Sequence, residues 1–156
     1  MKYWLLKTEP NTYSWNDLIK EKEKRTSWEG IRNYQARNYI RDEMKIGDLV
    51  FIYHSAVKPP AIVGIAEIVK EAYPDYFAFK QGHKYYDPKS KQKNPNWFMV
   101  DIKAKCGLHS EITIDELKKI PELKDMILLN NTRLSVQPVT KDEWNLIVSL
   151  RKQKDI

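Results

Sequence analysis

The residues best suited to chemistry gather in Trp28-Glu29-Gly30-Ile31-Arg32-Asn33-Tyr34-Gln35-Ala36-Arg37-Asn38, where a large flat aromatic precedes a tight turn, two guanidinium groups and a helix start. An aromatic face stacks on any nucleobase for about 1–3 kcal/mol, and Arg and Asn supply the forked donors and amide edges that distinguish bases and phosphates. The competing reading places Trp28 in the core and the arginines in water. Tyr53 and Tyr73, with Lys7, Thr8, Asn33, His54 and Ser135, fall at predicted element ends, where a rigid scaffold can present side chains around a pocket. Arg37 and Arg41 form a basic helix stripe free to meet phosphate. Lys80, Lys84, Lys89, Lys91 and Lys93 could follow a phosphate backbone or simply keep a long loop soluble.

Other chemistries have weaker support. Cys106 and His109 are the one local pair of metal-ligating type and make half a zinc site, so neither a metal nor another cofactor is expected. His54-Ser55 lacks the Gly-x-Ser-x-Gly elbow of a nucleophile, and there is no Gly-rich phosphate loop. Glu9 and Asp75, each beside a proline and near aromatics, are candidates for a general acid or base, but they match no known catalytic arrangement. Binding is therefore expected, with no catalytic residue assigned.

The 156 residues carry 27 Lys and Arg against 21 Asp and Glu, a formal charge of +6 that favours polyanionic partners. The five Trp and nine Tyr are interleaved with Lys, Arg and Asn, as stacking sites require. A lone Cys106 excludes an internal disulfide, and Met1 to Lys7 has too short an apolar run for a secretory signal. No apolar run approaches the ~20 residues that cross a bilayer. The expectation is a soluble, intracellular, single-domain monomer spanning 1–156.

The elements that must position these groups follow from the pattern. Tyr3-Trp4-Leu5-Leu6 reads as a buried first strand, ended by Glu9-Pro10. Ser14 with Asp17 begins a helix expected to run into the charged stretch Glu21 to Arg25. Asn33 caps the next helix, whose Ala36, Ile40 and Met44 share an apolar face. Leu49 to Tyr53 and Ala61 to Val69 read as paired central strands, with Gly64 marking a bulge or close backbone approach where the sheet curls toward a barrel. Residues 71–97 read as a long loop and candidate binding lid. A strand over 98–104, a helix over 113–120 capped by Thr113 and Glu116, a strand over 133–139 and a terminal helix begun by Thr140 and Glu143 complete the chain.

Taken with Trp4 to Pro10, Gly47-Asp48, Tyr53-His54-Ser55, Tyr73-Pro74-Asp75 and Arg133 to Val139, the Trp28 to Asn38 stretch resembles the EVE domain family over nearly the whole chain. The resemblance implies an α+β, PUA-like fold: a curved mixed β-sheet or partial barrel surrounded by helices, related to YTH and ASCH domains. It also implies a non-catalytic reader of a modified nucleobase, chiefly a modified cytosine in DNA. The implied base pocket comprises Lys7, Thr8, Glu9, Trp28, Gly30, Ile31, Arg32, Asn33, Tyr53, His54, Ser55 and Ser135, with Tyr73 added from the residue reading. Arg37, Arg41, Lys80 and Lys84 are the expected phosphate contacts. The implied location is cytoplasmic, or nuclear in a eukaryote. An RNA-binding PUA-like module, a base-processing glycosylase or nuclease, and a pocket for a free small molecule remain as alternatives.

Overall fold

Trp4 and Leu6 project from one side of the first strand and Leu5 from the other, and all are fully buried, so the sheet that holds them must be covered on both faces. The computed structural model describes residues 1–131 and 133–156 and bears this out. Its strands are β1 (Tyr3–Thr8), β2 (Arg25–Ser27), β3 (Leu49–His54), β4 (Ala61–Pro74), β5 (Phe98–Thr113), β6 (Val136–Val139) and β7 (Gln153–Lys154). They form one mixed seven-stranded sheet in the order β2-β5-β4-β3-β1-β6, with β7 added against β5. Only β1 and β3 run parallel among these pairs. Register shifts in β3–β4 and along β4–β5 bend the strands, as bulges do, but the sheet stays open.

The helices are α1 (Trp15–Lys20), α2 (Tyr34–Asn38), α3 (Ile114–Lys118), α4 (Ile127–Asn130) and α5 (Lys141–Ser149). One core layer joins Trp4, Leu6, Val50 and Ile52 to Trp15, Trp28 and Ile40. The opposite layer joins Leu5, Phe51 and Tyr53 to Leu117, Leu128 and Trp144. Thus α1 and α2 cover one face while α3, α4 and α5 cover the other. The α+β architecture expected from the sequence is present.

Local chemistry sets these elements. Ser14 and Asp17 form a reciprocal capping box on α1, and Thr140 and Glu143 form another on α5. Asn33 accepts from the Ala36 amide at 2.9 Å to start α2, which continues through a π turn over Tyr39–Glu43 and buries Ala36, Ile40 and Met44. Trp15 lies so close to Gly64 that a Cβ there would stand 2.4 Å from the indole. The strand glycine therefore lets α1 settle on the sheet.

Several boundaries differ from expectation. The α1 helix stops at Lys20, because Lys22–Lys24 form a single 3-10 turn with Glu23 at φ 58°, and Arg25 already belongs to β2. The β4 strand continues to Pro74 and β5 to Thr113, so the irregular loop begins later than expected. Thr113 caps α3, yet Glu116 turns away from it to pair with Arg151, leaving half a capping box. Arg133, Leu134 and Ser135 precede β6 instead of belonging to it.

Candidate nucleic-acid interface

The end of β1 and the end of β2 meet beside the Trp28 turn, and a recess of about 410 Å³ opens between them. It is lined by Lys7, Thr8 and Glu9 at the end of β1, by Thr12 and Tyr13 in the turn that follows, and by Thr26 to Ile31. Ser135 closes one end, where its carbonyl accepts from the Lys7 amide at 2.9 Å. Lys84 and Tyr85 reach over from the long loop.

Trp28 satisfies both readings of its sequence context. Its indole is 7% exposed and belongs to the core, and the Tyr13 ring meets it edge-on at 6.2 Å and 85°. Its amide donates to the Val100 carbonyl at 2.8 Å, fixing the turn to β5. The indole is thus an anchored wall that needs little ordering before it can meet a flat ligand.

Gly30 allows the next step. It has φ +87°, and a Cβ there would stand 2.3 Å from Cζ of Tyr85. The Tyr85 ring therefore rests against the glycine backbone, a contact any larger residue would block. Asp75, fully buried, accepts from the Gly30 amide at 2.9 Å, from Arg32 Nη1 at 2.9 Å and from the Phe77 amide at 3.0 Å. Arg32 also donates to the Tyr85 carbonyl, through Nη2 at 2.7 Å. Asp75 and Arg32 together clip the Trp28 turn to the loop that carries Tyr85.

The polar rim is mixed in charge. Lys7 lines the strand end, but its ammonium, whose pKa burial lowers, lies 5.9 Å from the Tyr53 ring centroid on the side of the layer opposite Trp28. Glu29 accepts from the Ser27 hydroxyl at 2.8 Å, and Thr8 donates its hydroxyl to the Tyr13 carbonyl at 2.6 Å. Burial raises the Tyr13 phenol to about 12, so it stays a neutral hydroxyl, aimed at Glu21 at 3.2 Å. The recess can therefore offer aromatic surface, carboxylate acceptors and the Lys84 ammonium to one planar polar ligand.

The EVE domain family model matches residues 2–150. The chain belongs to the EVE family. Human Thymocyte nuclear protein 1 is 40% identical, the match covering 97% of this chain and 75% of that protein. The crystal structure of human THYN1 in complex with 5-methylcytosine-containing DNA superposes with a TM-score of 0.92 at 40% identity, covering 96% of this chain and 97% of that one. An ASCH protein from Zymomonas mobilis, 12% identical with a TM-score of 0.55 over 97% of this chain and 100% of its own, shares the fold alone.

Within this EVE domain the structure gathers Lys7, Thr8, Glu9, Trp28, Gly30, Ile31, Ser135 and Lys84 around one recess, and places the other sequence-nominated residues elsewhere. Tyr53 lies in the core layer opposite Trp28, because successive strand side chains alternate faces and its partners are Phe51 and Ile62. His54 accepts from the Trp15 amide through Nε2 at 3.0 Å, and the Ser55 amide donates to the Thr8 carbonyl at 3.0 Å, so both brace the site from behind. Tyr73 donates to Asp101 at 2.5 Å under the Lys70 ammonium. Asn33 is spent on its helix cap and Arg32 on the clip. Asp75, with its oxygens engaged, is a structural acceptor and has no route to serve as an exposed acid or base.

Among the expected phosphate contacts, Arg37 donates to the Asn96 carbonyl at 3.1 Å, Arg41 pairs with Asp42 at 2.7 Å, and Lys80 lies over Phe77 at 4.9 Å. None of these lines the recess. Sequence reasoning missed Thr12, Tyr13, Thr26, Ser27 and Tyr85 as lining residues. The Tyr85 signal was its place in the aromatic, Lys-rich loop together with Gly30, whose freedom implies something packed close. Among the described residues no group of His, Cys, Asp and Glu is assembled to hold a metal. No helix is long and apolar enough to cross a membrane among these residues.

Proposed function

We propose that this chain, acting over its whole length as one EVE domain, is a non-catalytic reader of DNA that carries a modified cytosine. One nucleotide leaves the base stack and its base enters the recess between Trp28, Tyr13 and Tyr85. Extrusion costs a few kcal/mol, which one or two aromatic contacts and hydrogen bonds to the base edge offset. The observation that carries this reading is the anchored indole wall beside an open recess with a polar rim, in a fold matching human THYN1 at a TM-score of 0.92. Glu29, held by Ser27, supplies an acceptor of the kind that takes the exocyclic amine of cytosine and refuses the carbonyl of thymine. A binding role without turnover is supported by the use of Asp75 as a clip, with both of its carboxylate oxygens engaged by donors of the chain itself.

The test is a titration of otherwise identical labelled oligonucleotides bearing cytosine, 5-methylcytosine or thymine at one position, at two salt concentrations. Preference for 5-methylcytosine over both others, maintained as salt rises, is the expected result. Equal affinity for all of them, or release of base or strand cleavage with time, would replace this reading by non-specific binding or by catalysis.

A further inference from the structure

The aromatic surface does not stop at the rim of the recess. The Arg32 guanidinium lies 5.4 Å from the Tyr85 ring and 5.5 Å from the Trp97 ring. Trp97 in turn stacks on Tyr34 at 4.9 Å and 28°, and the Arg37 guanidinium lies 4.8 Å from the Tyr34 ring. Rings and cations thus form a continuous series from Tyr85 in the lining of the recess out to the start of α2.

Each inner member is fixed. Trp97 is 6% exposed and donates its indole N–H to Asp87 at 2.6 Å. Arg37 is tied to the Asn96 carbonyl and to Asn38, and Arg32 to Asp75. Tyr34, in contrast, is 59% exposed although its ring is backed by the indole. Core packing does not call for an exposed ring at that position, whereas a ring held flat in advance loses little freedom when a base lands on it. The surrounding charge suits a polyanion: Lys84, Lys89, Lys91 and Lys93 are exposed on this loop, and the Asp87 carboxylate is engaged by Trp97 and the Lys89 amide.

We propose that Tyr34 is a stacking platform for a base a few nucleotides along the same strand from the one held in the recess, with Arg37 facing a phosphate between them. The inference rests on the recess reading. The steps from Tyr85 through Arg32 and Trp97 to Tyr34 span a distance that a few nucleotides cover at about 3.4 Å of rise each.

The experiment measures Tyr34→Ala, Tyr34→Phe and Tyr76→Ala against a single-stranded oligonucleotide with one central 5-methylcytosine, against the same oligonucleotide with each flanking base in turn made abasic, and against 5-methyldeoxycytidine monophosphate. Tyr34→Ala should weaken the oligonucleotide about five- to a hundredfold, the worth of one stacked base, while Tyr34→Phe restores it. The parent should lose affinity when one particular flanking base is removed, and Tyr34→Ala should be indifferent to that removal. Affinity for the mononucleotide should be the same in parent and variants. Parental oligonucleotide affinity in Tyr34→Ala, a loss unrelieved by Phe, or a loss confined to Tyr76→Ala would overturn the proposal. Should modified and unmodified oligonucleotides bind alike while the Tyr34 and abasic effects persist, the recess reading falls and the platform stands.

Discussion

The turn around Gly30 and the outer face of the helix that follows it are neighbours in sequence, yet they hold their charges in opposite ways. In the turn, Arg32 is locked onto a fully buried carboxylate and a backbone carbonyl, and its side chain is 23% exposed. On the helix, Arg41 pairs with the adjacent Asp42 in water, at 38% and 51% exposure. The first arrangement gives shape and the second gives charge. The buried pair beside the Trp28 turn therefore builds the recess, whereas the exposed pair on the helix can exchange its partner for another anion.

Breaking the clip should produce the largest effect. Asp75→Ala leaves the Arg32 guanidinium and the Gly30 and Phe77 amides without their acceptor, at a cost of about 3 kcal/mol or more. Urea unfolding should show the midpoint falling with the slope unchanged, and oligonucleotide binding should fall with it. A variant as stable as the parent would mean that the turn is held by packing alone.

Gly30→Ala separates shape from stability. The positive φ costs about 1–3 kcal/mol for a residue with a Cβ, and the Tyr85 ring must move to clear the new methyl. Because Tyr85 caps the recess, affinity for a modified oligonucleotide should drop more than thermal stability does. Equal affinity in the alanine variant would show that Tyr85 takes no part in binding.

A smaller effect comes from behind the recess. Burial lowers the His54 pKa, and its unprotonated Nε2 accepts the Trp15 amide. The unfolded chain therefore binds the proton more readily than the folded one, so stability is complete above pH ~6.5 and declines as pH falls from there toward the lowered folded value. Melting temperature should drop between pH 7.5 and 5.5, and drop less in His54→Gln. An unchanged pH profile in that variant would assign the acid sensitivity to other groups.

The same contrast explains what was legible beforehand. Apolar alternation and capping residues mark β1, β3, α2 and α5 locally, so their positions could be read without tertiary information. The motif stretch around Trp28 was visible because Trp, Gly and Arg stand close in sequence, and half of the recess lies there or at the end of β1. Tyr53 was misplaced for a geometric reason. Tyr53 pairs with Lys7 in the sheet, and strand parity sends both side chains toward the layer opposite Trp28; parity relative to a distant turn cannot be counted from one strand alone. The three-residue β2 carries too short a pattern to show its pairing with β5, so Thr26 and Ser27 gave no sign of facing the site. Asp75 looked like free chemistry because a sequence does not show that its oxygens are already taken.

The smallest expected change sharpens the comparison most. Arg41→Ala removes an exposed ion pair, which on surfaces contributes about 0–1 kcal/mol, so folding stability should hold. If Arg41 meets a phosphate, the slope of log affinity against log salt should become shallower by about one, equally for modified and unmodified oligonucleotides. Removing Arg32 should do the reverse, lowering stability and selectivity with little change in slope, since its charge is already neutralised by Asp75. A salt slope that responds to Arg32→Ala and ignores Arg41→Ala would invert the division between charge that shapes the recess and charge that attracts the strand.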